Sequence, residues 1–126
     1  MSKVAARVVH YGAYNPETHK GGVEAFARNL RLIFDEVSFM WGGNVDVDRV
    51  RREKLMVICD NHWVTDWPDD VPVIGFQHGV AAVKASITGN WTGRRMAKRQ
   101  AKAAKRKNTI WVACAQWIAN TFDALH

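Results

Sequence analysis

Cysteine is scarce in this 126-residue chain, which has only Cys59 and Cys114. Two thiols make no disulfide scaffold, so a reduced, cytoplasmic protein held by its core is expected. Long apolar runs are missing too. No stretch approaches the ~18 to 20 residues that a membrane span requires, and the N-terminus has nothing of a secretory leader. Neither G-x-G-x-x-G nor G-x-x-x-x-G-K-[ST] occurs, which removes the familiar dinucleotide and P-loop signatures. Repeats, linkers and low-complexity tracts are absent. Cys59, Asp60 and His62 are ligand types, but Cys59 alternates into a strand interior and no fourth ligand has a useful spacing. Neither a metal nor a resident cofactor is therefore expected.

What remains is the composition of one globular domain, 48% hydrophobic and 24% charged. A chain of this length buries roughly two thirds of its unfolded surface, enough for a core. The net charge is +6, but it is unevenly placed. Residues 94 to 107, RRMAKRQAKAAKRK, hold eight bases and no acid, while the rest of the chain has ten bases against twelve acids. The segment has no Gly or Pro and is rich in strong helix formers. Ala97, Ala101 and Ala104 fall at i, i+4, i+7 and predict a thin stripe able to approach a sheet closely. Arg94, Arg95, Lys98, Arg99, Lys102, Lys105 and Arg106 would then form a basic face. That face is either merely solvated or a surface for anionic lipid head groups or a polyanionic substrate. Nucleic acid fits it less well, because no aromatic residues interleave the bases to stack on single strands.

The rest of the pattern alternates. Val4 to Tyr11 reads as a strand buried on both faces. A polar loop ends at Gly21-Gly22, and from Val23 a helix is expected, with Val23, Phe26, Ala27, Leu30 and Phe34 at helical spacing. Val37 to Trp41 predicts a second strand, Asp46 to Glu53 a short helix, and Leu55 to Cys59 a third strand. Val71 to Phe76 and Thr109 to Ala113 supply two more strands around the basic helix, and Gln116 to His126 a closing helix with Ile118, Phe122 and Leu125 on one face. Alternating strands and helices with short connections imply an α/β fold: a Rossmann-like, mostly parallel sheet flanked by helices, in a single domain spanning 1 to 126.

In such sheets ligands bind at the carboxyl ends of the strands, near a topological switch point. The residues expected there are informative. Gly21 and Gly22 before a helix allow backbone N–H groups to approach a phosphate. Tyr14 lies in the first loop, Asp60 and His62 follow the third strand, and Gln77 and His78 follow the fourth. An imidazole at His78 suits a hydrogen bond to a sugar hydroxyl or phosphate, or acid–base work. Cys114, in the apolar strand end WVAC, is expected in the core. Trp63 and Trp67 are expected to pack their loop.

Three segments carry a family resemblance. GGVEAFARNL at 21 to 30 resembles the start of the first helix in GT-B-fold glycosyltransferases of the family-4 type. VPVIGFQHGVA at 72 to 82 is similar to their fourth-strand segment, which ends in a histidine beside the acceptor site. IWVACAQWIANTF at 110 to 122 resembles the entry to the last helix of their N-terminal domain. The resemblance implies the acceptor-binding half of such an enzyme, transferring a hexose from a nucleotide sugar to a hydroxyl acceptor. It implies that Gly21 and Gly22 lie against the donor diphosphate and that His78 is the catalytic-site histidine near the reacting carbon. Tyr14, Asp60, His62 and Gln77 would contact the acceptor or sugar. The basic helix would hold the protein at an anionic membrane, at its inner face. No donor-binding domain with its glutamate pair follows within the chain. Activity is therefore expected only with a donor-binding domain or subunit, or in a homo-oligomer. The alternative is a non-catalytic α/β module that binds nucleic acid or an anionic membrane through residues 94 to 107.

Overall fold

In a computed structural model, which describes residues 2–79, 89 and 91–125, the chain forms one five-stranded sheet with helices on both faces. Strands β1 (Val4–Gly12), β2 (Phe34–Trp41), β3 (Met56–Asp60), β4 (Val73–Gln77) and β5 (Thr109–Ala113) are all parallel, in the order β2-β1-β3-β4-β5. This is the doubly wound, Rossmann-like arrangement that the alternating pattern predicts. The chain leaves β1 for β2 on one side and returns across to β3 on the other. The switch point therefore lies between the carboxyl ends of β1 and β3.

Strand periodicity sorts the side chains into two cores. On one face, helix α1 (Gly22–Asn29) covers Val8 and Ile58, with Leu30, Phe26, Ile74 and Phe76 around them. On the other, Val9, Tyr11, Val57, Cys59 and Val73 pack under α2 (Val47–Glu53), under the 3-10 turn Asn61–Asp66, and under helix α3 (Trp91–Ala104) through Ala103. Trp63 and Trp67 stand edge-on to the Tyr11 ring, with centroids 5.8 Å apart in each case, so they do pack their loop. Helix α4 (Gln116–Leu125) closes on β5 by setting Phe122 against Trp111. Gly75 is needed opposite that indole, because a Cβ there would overlap it.

Several element boundaries differ from the sequence expectation. α1 ends at Asn29 in a 3-10 turn, and Phe34 belongs to β2, where it pairs with Val4. Helical spacing of Phe34 was coincidental; its burial is against the sheet. Only the second half of β1 is buried, since Val4 is 53% exposed while Val8 to Tyr11 are nearly inaccessible. α2 forms where expected because Asp46 caps it, its Oδ1 accepting the Arg49 N–H at 3.0 Å. β4 starts after Pro72 rather than at Val71, while β5 matches its expected span. α3 begins at Trp91 and stops at Ala104, and its buried line runs through Gly93, Gln100 and Ala103, with the three predicted alanines only flanking it. In α4, Ile118 and Phe122 are buried but Leu125 is half exposed; His126 lies outside the described residues. No helix among the described residues is long and apolar enough to cross a membrane.

Candidate functional site

Parallel register assembles a polar cluster at the switch point. Ile58 is opposite His10, so Asp60, two residues on, emerges on the same face as His10 and one residue beyond the last paired position of β1 and β3. Gln77 is opposite Ala113 in the β4–β5 pair, and the Cys114 N–H donates to the Gln77 carbonyl at 3.2 Å. That extension brings His78 beside Cys114. The four side chains form a continuous chain: His10 Nε2 and His78 Nε2 both lie 2.9 Å from Asp60 Oδ1, and Cys114 Sγ lies 3.4 Å from His78 Nδ1.

The tautomers follow from donor counting. An ionised carboxylate only accepts, so both imidazoles must present Nε2–H to it. His78 Nδ1 then carries a lone pair and accepts from the Cys114 thiol. Burial alone would raise the Asp60 carboxyl, but the two imidazole donors outweigh it and hold the group below its ordinary range. His10 is 1% exposed and Asp60 4%. The Gly12 backbone passes so close to Asp60 that a Cβ there would sit 2.5 Å from Oδ2. Asn61, held at φ +47°, turns its Oδ1 to accept the His78 N–H at 2.9 Å. Phe26, in the second turn of α1, packs edge-on to the His78 ring at 4.8 Å. Helix α1 therefore reaches the same strand ends through Phe26.

The sequence-derived site residues divide accordingly. Asp60 and His78 come together. Gly21 is the N-cap of α1 and Gly22 its first residue. The Glu24 carboxylate folds back over Gly21, whose lack of a side chain makes room for it. An anion arriving at this helix end must displace that carboxylate. Tyr14 is 55% exposed and stacks on His19 at 4.2 Å. His62 and Gln77 face away from the cluster. His62 is buried and stacked on Trp63, and its pKa is lowered, first by burial and then by Arg99. Gln77 is buried too, its Oε1 accepting from Gln100 Nε2 at 2.6 Å. Gln100 Nε2 also donates to the Gly79 carbonyl at 2.9 Å, which ties α3 to the segment that carries His78.

Cys114 is exposed, not in the core as its apolar neighbours suggested; Cys59 is the buried cysteine. The basic face also changes membership. Arg94, Arg95, Lys98, Arg99, Lys102 and Lys105 are exposed, whereas Arg106 turns inward. Its guanidinium donates to the carbonyls of Pro68, Val71 and Lys107 and to Thr109 Oγ1, at 2.5 to 2.9 Å. It is a tether between loops and not part of an anionic-ligand surface.

Sequence reasoning missed His10, Gly12 and Asn61. A histidine inside the apolar run VAARVVHY was the available signal for the first, since a buried imidazole requires a partner. No group of three or more ligand-type side chains among the described residues converges as a metal site would require. A groove of 760 Å³ lined by Val50, Lys54, Pro72, Val73, Asn108 and Ile110 lies at the opposite, amino-terminal end of the strands. Comparisons with family models, with curated proteins and with solved structures find no match to this chain.

Proposed function

We propose that the carboxyl edge of this sheet is the acceptor-binding half of a GT-B-type glycosyltransferase, which transfers a hexose from a nucleotide sugar to a hydroxyl acceptor when a donor-binding domain completes it. The observation that carries this reading is His78, set at the strand ends with Asp60 fixing its tautomer, Asn61 fixing its backbone and Phe26 of α1 alongside. A neutral imidazole with Nε2–H on a carboxylate has a directed lone pair at Nδ1. With the Cys114 thiol that now donates to it turned aside, such a group accepts a hydrogen bond from a sugar hydroxyl or takes its proton. In this reading Asp60 acts behind His78, Tyr14 is open to an acceptor, and Gly21 and Gly22 offer backbone N–H groups to the donor diphosphate once Glu24 swings aside. His62 and Gln77, packed on the other face, support the loops instead of touching substrate.

The test starts from a tagged pull-down in native lysate, with the recovered donor-binding polypeptide assayed for nucleotide release from nucleotide sugars. His78→Ala is expected to lower transfer by about a hundredfold or more and to leave the folded structure intact. Undiminished transfer in that variant would remove the role assigned to His78. Recovery of lipid or nucleic acid alone would favour the second reading, a binding module working through α3. That reading is supported by the exposed bases from Arg94 to Lys105, for which no acidic partner is found within ion-pair distance among the described residues.

A further inference from the structure

We propose that Cys114, His78 and Asp60 act as nucleophile, base and orienting group, making Cys114 a site of covalent exchange with small solvent-borne disulfides of the glutathione class. The argument is geometric. A nucleophile needs a base within hydrogen-bond reach, and the base needs a third group to hold its ring and tautomer. Here the thiol is 3.4 Å from His78 Nδ1 and the other ring nitrogen is 2.9 Å from Asp60. The thiol is exposed, so a reagent reaches it, whereas Cys59 is fully buried and does not compete. Backbone register past the ends of β4 and β5 holds the pair together, so the contact does not depend on one flexible side chain.

Burial and the Asp60 charge push the Cys114 thiol up, so it rests protonated. Reaction therefore requires the base. As the sulfur attacks one sulfur of the disulfide, the S–H proton passes to His78 Nδ1. A new S–S bond forms to Cys114, the reagent's S–S bond breaks, and the departing thiolate takes the proton back from the imidazolium. Cys114 ends as a mixed disulfide and half of the reagent as a thiol. The charged and titratable groups involved are those of the cluster itself: Asp60 from β3, His10 from β1 and His78 after β4. Where the sugar reading of the site holds, and resting on that reading, the cap also covers Nδ1 of His78 and shuts off transfer. The thiol exchange itself requires no nucleotide sugar.

The experiment treats the folded chain with oxidised glutathione and follows adduct formation by intact mass and site mapping. One adduct is expected, on Cys114, with Cys59 untouched, and none on Cys114 in Cys114→Ser. His78→Gln should slow the exchange at neutral pH at least tenfold, and added imidazole should restore part of the rate in His78→Ala. Should those variants unfold, revealed by labelling of Cys59, the wild-type profile decides. Base assistance lets the exchange run well below the pH range in which the Cys114 thiol, pushed up by burial and Asp60, ionises by itself. An unchanged rate in a folded His78→Gln, or a wild-type rate that climbs only in the alkaline thiol range, overturns the proposal. Failure of this exchange leaves the transfer assay free to succeed, and the reverse also holds.

Discussion

Asp60 and His62 are two residues apart, yet opposite sheet faces give them different neighbours and different responses to acid. His62 is buried with its pKa below the ordinary 6.5, so the unfolded chain binds its proton first and stability falls as pH drops below that value. Asp60 is held below the ordinary 3.8, so its contribution is full above that pH and is lost as pH falls through the lower folded value. Acid unfolding should show both components, and His62→Gln should flatten only the one nearer neutrality, as followed by denaturant midpoints across pH. Gly12 makes a separate prediction. A methyl at that position presses on the Asp60 carboxylate, so Gly12→Ala should cost about 1 to 3 kcal/mol, read from urea unfolding. Its need for glycine was not legible in the sequence, because Asp60 is 48 residues away and only strand pairing makes them neighbours.

At the scale of elements, the basic segment shows how a composition reading is right about type and wrong about individual side chains. Its helix was predictable from residue propensities. Its buried line was not, because Gln100 enters it to meet Gln77, and Arg106 leaves the charged face once the helix ends at Ala104. Removing that guanidinium takes from the buried Val71 carbonyl the bond it accepts and leaves those of Pro68 and Lys107 with only their second donors, the Val71 N–H and Thr109 Oγ1, so Arg106→Met should destabilise by about 3 kcal/mol. Lys98→Gln, on the exposed face, should change stability by under about 0.5 kcal/mol. Equal effects in chemical denaturation would refute this division of the segment into a tether and a solvated face.

For the whole molecule, the sheet order places the reactive cluster at one edge and the bases of α3 on a neighbouring helix, so the two are separable by mutation. Neutralising Lys98, Arg99, Lys102 and Lys105 together should weaken any binding to vesicles rich in anionic lipid by at least a hundredfold, at roughly 1 kcal/mol per base. The same binding should fall as salt rises. Disulfide exchange at Cys114 should remain unchanged in that variant. Sedimentation with vesicles of defined phosphatidylserine content, beside the glutathione assay, measures both.

The sequence by itself determined the elements and the fold class. Strand β5 could be placed to the residue and the helices to within a few positions, because hydrophobic period and propensity are local properties. His78 and Asp60 were legible as strand-end polar residues for the same reason. Only the tertiary structure decided that His10 and Cys114 join them and that His62, Gln77 and Arg106 do not. Parallel pairing chooses which residues meet across the sheet, and side-chain alternation chooses the face. Both are set by contacts between segments tens of residues apart, which no local pattern records.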